Sequence, residues 1–319
     1  MSYGEDEAVT VNKAAIVGAG LIGRSWAMVF ARAGWQVALY DPLAGVAAHA
    51  LDLIGPALAE QEQFGLVGDA RAATALIEAP ATLAETLADA ALVQECGPEK
   101  VGIKRDVFAE LDRLAAPETI LASSTSAIVA SRFTETLAGR GRCLVGHPVN
   151  PPHLVPLVEL CPAPWTDPAT VERARTIYAA VGQVPVLVKR EVEGFVLNRL
   201  QGALLNEALR LVEDGVISPQ DCDHTLKDGL GLRWSFLGPF ETIELNAPGG
   251  IADYCARYSG IYRSLAAQPP SASVWDAENV ARVTAQWRAP ATPEAHAARE
   301  RARDRRLAAL RQHKAEQGG

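Results

Sequence analysis

The stretch that most restricts how this chain can fold is Ala14–Asp41, AAIVGAGLIGRSWAMVFARAGWQVALYD. Ala14 to Val17 is an apolar run of strand length, Gly18-x-Gly20-x-x-Gly23 follows at once, and Leu21 to Arg32 continues with apolar residues at helical spacing. The pattern predicts strand, turn and helix. Gly18 suits the tight turn, Gly20 lets the backbone approach a pyrophosphate, and Gly23 lets the helix pack close on the strand. The helix would open with free amides at Leu21 and Ile22, aimed at that pyrophosphate. A second strand, Trp35 to Tyr40, ends at Asp41, where a carboxylate would accept hydrogen bonds from an adenosine ribose. Asp41 is followed by Pro42, Leu43 and Ala44, with no cation to receive a 2′-phosphate, so the cofactor implied is NAD rather than NADP.

Beyond Asp41 the alternation continues. Helices are expected over 45–63, 70–77, 99–114 and 168–181, and strands over 91–95, 120–123, 142–147, 157–161 and 184–188. Strands and helices alternating at this spacing imply a parallel sheet covered on both faces. From Gly194 the character changes. Leu197, Leu200, Leu204, Ala208 and Leu211 mark one face of a long helix over 195–213, and later helical stretches are broken only by Gly and Pro. The fold expected is α/β, a Rossmann-type doubly wound, mostly parallel sheet over 1–190, followed by an all-helical domain over 191–319. The first twelve residues look like a loose tail.

Composition narrows the classes of function. With 30 Lys and Arg against 38 Asp and Glu, the net charge of −8 argues against a general nucleic-acid binder. The Arg-rich stretch 294–314 carries interleaved Glu300 and Asp304 and reads as a solvated helix. Five cysteines, widely spaced and without a CxxC pair, suggest neither a zinc site nor a disulfide framework, so no metal is expected and the thiols read as buried in a reducing cytoplasm. The acidic first residues lack the form of a signal peptide, and no apolar run reaches the length of a membrane span.

Three downstream stretches hold polar residues that a scaffold has no need of. They are Ser123–Ser126 at a strand end, HPVNPPH from His147 to His153 with Glu159 twelve residues after His147, and Gly194–Arg199, GFVLNR. Ligands of open α/β sheets sit outside the carboxyl ends of strands, where the first two groups should lie; the third begins the helical half, and a cleft between the halves would gather them.

These stretches, VGAGLIGRSWAMVFARAGWQVALYD, SSTSAI, HPVNPPHLVPLVEL, EGFVLNRLQ and GLGLRWSFLGPFETIELNA, resemble the 3-hydroxyacyl-CoA dehydrogenase superfamily over about residues 14–265. Within it they most resemble the lambda-crystallin or L-gulonate 3-dehydrogenase branch. The resemblance implies His147 as catalytic base, Glu159 as its partner, and Ser126 and Asn198 as hydrogen-bonding groups around the reacting oxygen, with Ser126 favoured over Ser124 by register. It also implies that Glu99 and Lys104 lie near the cofactor or substrate, and it implies a homodimer. The chemistry agrees: a neutral imidazole can take a hydroxyl proton, and a carboxylate on its other nitrogen fixes the tautomer. Arg233 is a candidate for a substrate carboxylate, because guanidinium binds carboxylate bidentately. Residues 45–76 contain no Lys and one Arg, Arg71, which departs from the superfamily's acyl-CoA members and favours a small hydroxy acid. L-gulonate is the first choice, with L-3-hydroxyacyl-CoA and L-carnitine as alternatives. For the latter, Trp234 and Tyr254 could cage the trimethylammonium. A crystallin-like structural protein that binds NAD is the non-enzymatic alternative.

Overall fold

The computed structural model describes residues 12–289 and 291–318. Apart from Asn12, the tail expected at the N-terminus lies outside the described residues. The contacts divide the chain into two units: residues up to Asn198 together with Glu300–Gly318, and Arg199–Arg299.

The first unit is built on one eight-stranded sheet. In chain order its elements are β1 Lys13–Val17, α1 Leu21–Arg32, β2 Gln36–Tyr40, α2 Val46–Gln63, α3 Ala70–Ala75, β3 Ile77–Glu78, α4 Leu83–Leu87, β4 Leu92–Glu95, α5 Val101–Leu114, β5 Ile120–Ser123, α6 Ser131–Thr134, β6 Cys143–Pro148, β7 Leu157–Pro162, α7 Pro168–Ala180 and β8 Val184–Leu187. The strand order is β3-β2-β1-β4-β5-β6-β7-β8, parallel except for the antiparallel pair β6–β7. The order reverses beside β1, which puts the crevice of the sheet at the glycine loop that follows β1.

Alternation along the strands makes two cores. Ala14 and Ile16 face one side with Trp26, Phe30, Ile54, Leu58 and Tyr178, while Ala15 and Val17 face the other with Phe108, Leu111, Phe133 and Phe195. Both faces are covered, so the inner strands are buried and largely apolar, with polar residues such as Gln94, Glu95, Ser123 and His147 toward their carboxyl ends. Trp26 anchors the first core: it packs on Phe30 and Tyr178 with centroids 6.0 and 5.4 Å apart.

The antiparallel turn has a local cause. Eight residues containing three prolines, Val149–Pro156, separate the two strands where a parallel crossover would need a dozen or more. That reversal sets His147 opposite Glu159. The helix expected from residue 195 starts instead at Leu197. Gly194 and Phe195 have φ of +73° and +50°, outside the helical range, and Phe195 is driven into the core by this turn.

The second unit holds most of α8 Leu197–Glu213, then α9 Pro219–His224, α10 Gly231–Trp234, α11 Pro239–Leu245, α12 Gly250–Ala266 and α13 Ala277–Gln286, with a wide π turn over Thr225–Leu230. Trp275 Nε1 donates to Asn206 and Arg282 to the Glu213 carbonyl, tying α13 and its approach to α8. Much of its apolar surface is uncovered, including Leu200, Phe240, Leu245 and Ile261.

The last helix, α14 Pro293–Glu316, is the mostly exposed helix expected of its composition, but it also makes a contact that the sequence does not announce. From Glu300 onward it packs into the first unit, where Ala308 is buried and Arg305 pairs with Glu60 of α2. Periodicity could not reveal this, because the contact is made by single small and charged residues rather than by an apolar stripe. No helix among the described residues is long and apolar enough to cross a membrane.

Candidate active site

The glycine loop is shaped by its neighbours. A side chain at Gly18, whose φ is +105°, would meet the Cys96 carbonyl at 2.9 Å, and one at Gly23 would collide with the Gly18 carbonyl oxygen. At Gly20 nothing lies within 4 Å of where a Cβ would stand. The cradle is therefore closed from below and open above Gly20, as the approach of a pyrophosphate requires. No side chain caps α1 and no acid stands in its first turn, so its opening amides, Leu21 and Ile22 among them, keep their positive end for an anion. Asp41 Oδ2 accepts the Ala19 amide at 2.9 Å and Oδ1 the Leu43 amide at 3.0 Å, which fixes the carboxylate beside the loop at the end of β2. Each of these features fits NAD.

At the ends of β4 and β5 lies a charged cluster that sequence reasoning saw only in part. Glu99 Oε1 accepts the Thr125 hydroxyl at 2.6 Å and the Ser126 and Ala127 amides at 3.1 Å. Lys104 is 1% exposed and reaches Glu95, equally buried, at 2.9 Å; Glu99 is 3.9 Å from the same ammonium. Glu95 also accepts the Ser123 hydroxyl at 2.5 Å and the Gly97 amide at 2.6 Å. Glu95, Ser123 and Thr125 are additions to the expected set. The available signal was Glu95 itself, a charge ending a buried strand that opens with Leu92 and Val93.

Two serines of the same loop differ. Ser124 Oγ accepts from Gln94 Nε2 at 2.6 Å and from Trp26 Nε1 at 3.1 Å, beneath the sheet. Ser126 is exposed, and its carbonyl takes a hydrogen bond of 2.6 Å from Asn198 Nδ2.

His147 and Glu159 form the other centre. Nδ1 of His147 is 2.8 Å from Glu159 Oε2, with the two residues 4% and 1% exposed. The second oxygen, Oε1, accepts the Val196 and Leu197 amides at 2.9 Å each. Burial pulls the Glu159 carboxyl upward, but the hydrogen bonds of His147, Leu197 and Val196 outweigh it and hold the group below the ordinary carboxylate range. Phe195 lies against the imidazole, 5.3 Å between centroids. The structure thus links Glu159 to the segment bearing Asn198, and Asn198 to Ser126.

Arg233 stands on α10 in the second unit, exposed and without an ion pair among the described residues. His153 is held apart from this group: its Nδ1 meets Ser25 Oγ at 3.1 Å. All five cysteines are free; burial pushes Cys96, Cys143 and Cys161 up to about 12, whereas Cys255 is exposed. No metal-binding group of His, Cys, Asp and Glu occurs among the described residues.

Comparison with known proteins agrees with this geometry. Residues 13–192 match the family description "3-hydroxyacyl-CoA dehydrogenase, NAD binding domain", and residues 194–286 match its "C-terminal domain". Lambda-crystallin of Oryctolagus cuniculus is 44% identical over 93% of this chain and 95% of its own. An L-carnitine dehydrogenase of Streptomyces griseus is 41% identical over 76% of this chain and 72% of its own. Among solved structures, a 5-formyl-3-hydroxy-2-methylpyridine 4-carboxylic acid 5-dehydrogenase, described as an NAD+-dependent dismutase, superposes with a TM-score of 0.82 at 29% identity, covering 95% of this chain and 98% of that one. Both halves of the chain are accounted for, and it belongs to the 3-hydroxyacyl-CoA dehydrogenase family of NAD-dependent oxidoreductases acting on CH–OH groups.

Proposed function

We propose that the chain oxidises the 3-hydroxyl of a small hydroxy acid, L-gulonate to 3-dehydro-L-gulonate, with His147 and Glu159 as the base. The observation that carries this reading is the 2.8 Å contact between His147 Nδ1 and Glu159 Oε2. Glu159 accepts a hydrogen bond from Nδ1–H, which leaves Nε2 as the lone-pair nitrogen that takes the hydroxyl proton. As the imidazolium forms, the carboxylate at its back stabilises it. Ser126, with its hydroxyl exposed, and Asn198 bind the oxygen as its charge develops. NAD, when bound, supplies the acceptor for the hydride that leaves the carbinol carbon. Gly18, Gly20, Leu21, Ile22 and Gly23 hold its pyrophosphate, Asp41 its ribose, and Glu99, backed by Lys104, orders the loop at the carboxyl end of β5. Arg233 is assigned to the substrate carboxylate.

The choice of a free acid over an acyl-CoA rests on residues 45–76, which contain no Lys and one Arg. A second reading, L-carnitine as substrate, is favoured by the 41% identity to the Streptomyces enzyme. The division into an NAD-binding domain over 1–190 and a helical substrate and dimerisation domain over 191–319 belongs to the same proposal, as do a homodimer and a cytoplasmic location. The exposed Leu200, Phe240, Leu245 and Ile261 support self-association. NADH formation at 340 nm with L-gulonate, L-carnitine and 3-hydroxybutyryl-CoA in parallel tests the substrate. Turnover is expected with L-gulonate; turnover confined to either of the others replaces it.

A further inference from the structure

Helix α14 lies beyond the stretch matched by either family domain, the second of which ends at residue 286. From Glu300 onward it nevertheless packs into the cofactor unit. There it closes a cavity of about 280 Å³ against α1 and α2, with His153 and Leu154 in the wall.

The charge around this cavity does not balance. Arg305 is paired with Glu60 at 2.6 Å, and Arg303 with its neighbour Asp304 at 2.8 Å. Arg24 of α1 and Arg301 of α14 also line the cavity, and neither has an ion-pair partner among the described residues. Just behind the wall, Arg32 and Arg311 both donate to the His153 carbonyl oxygen, at 2.6 and 3.0 Å, again with no carboxylate. Arg32 reaches Gln61, a lining residue, at 3.2 Å. Burial, and then the Arg311 charge, push Arg32 down to about 9, and burial lowers Arg311 as well. Partly buried cations that share one neutral acceptor lack the compensation that such charges ordinarily find. Four unpaired guanidiniums gather here in a chain whose net charge is −8. The remaining wall, with Met28, Leu53 and Leu154, is apolar and can cover a carbon skeleton.

We propose that this cavity binds a small multivalent oxyanion, a polycarboxylate or a phosphate, held by Arg24 and Arg301 with Arg32 and Arg311 supplying positive potential from behind His153. Guanidinium grips either group bidentately, so the shared chemistry is that of an oxyanion. The site is a feature of the appended helix, since Arg301 and Arg311 both come from it.

Citrate and inorganic phosphate are the probes, titrated into the full chain at ionic strength matched with sodium chloride, and read by calorimetry and thermal unfolding with and without saturating NAD. A ligand that binds only the folded chain raises its melting temperature saturably. At least one of the two probes is expected to do so, and which one does assigns the source. Arg24→Ala and Arg301→Ala should each weaken that binding about tenfold or more, the loss of one charged contact. Arg306→Ala, an exposed arginine of the same helix outside the cavity, should leave it unchanged. Absence of any effect beyond that of chloride overturns the proposal. So does binding unaltered in both lining variants, or binding abolished by saturating NAD, which would place the anion on the pyrophosphate cradle.

Discussion

His147 and Glu159 stand directly opposite one another on β6 and β7, and the single antiparallel pairing in the sheet is what joins them at 2.8 Å. Because Glu159 also takes the amides of Val196 and Leu197 on its other oxygen, its position is determined from two sides. Glu159→Gln keeps an acceptor for those amides while removing the charge that supports an imidazolium. Its kcat should fall by about 10²–10⁴ with little change in NAD affinity. His147→Asn should do the same. Steady-state rates at 340 nm, together with NAD binding by protein fluorescence, measure both; near-normal kcat in either variant removes the pair from the mechanism.

Ser124 and Ser126 invite opposite expectations. The Ser124 hydroxyl serves buried partners, Gln94 and Trp26, and Ser124→Ala leaves their donors unsatisfied. Stability should drop by about 1–3 kcal/mol in urea unfolding while the turnover of the folded fraction stays close to that of the parent. Ser126→Ala removes an exposed hydroxyl, so the melting temperature should hold while kcat falls by about 10². If Ser124→Ala were the variant that lost turnover without losing stability, the assignment of the two would have to be exchanged.

The parts of this molecule that could be read from the chain are those whose cause is local. Helix α1 begins and ends where its glycines and apolar spacing put it, and Asp41 stands at the end of its strand because β2 is one short apolar run. The spacing of His147 and Glu159 was visible, but the reason for it, an antiparallel return through Pro148–Pro156, requires knowing which strands are neighbours. Phe195 looked like the first residue of a helix because it is apolar and in phase; its positive φ comes from the turn that delivers it to the core. The burial of Lys104 against Glu95, nine residues earlier, depends on how α5 lies across β4, which no periodicity encodes. The return of α14 to the first unit was equally hidden, since contacts 245 residues apart such as Arg305 with Glu60 leave no mark on either segment.

The Glu95–Lys104 pair yields a stability test separate from catalysis. Both groups are 1% exposed, and Lys104→Met leaves a carboxylate buried among the Ser123 hydroxyl and the Gly97 amide with no cation near it. Removing one partner of such a pair should cost about 3–5 kcal/mol. The double variant Glu95→Gln with Lys104→Met should recover part of that loss, because no uncompensated charge remains. Urea midpoints of the two variants decide: equal destabilisation would mean that the ammonium does not balance the carboxylate.

Acid sensitivity should trace to His153. Burial, and then the charges of Arg32, Arg311 and Arg303, push its pKa from 6.5 down to about 3. Between those values the unfolded chain binds a proton at this residue and the folded chain does not. The unfolded state is therefore favoured as the pH falls, and the contribution of the neutral imidazole is complete above about 6.5 and lost progressively toward 3. The slope approaches about 1.4 kcal/mol per pH unit for one proton. Replacing His153 with Gln keeps a side chain that can reach the Ser25 hydroxyl but does not titrate. Urea unfolding of both proteins from pH 7.5 to 4.5 should show the parent losing stability more steeply, by close to one proton, with the difference vanishing at the upper end. Parallel curves over that range would mean that the residue titrates alike in the folded and unfolded chains.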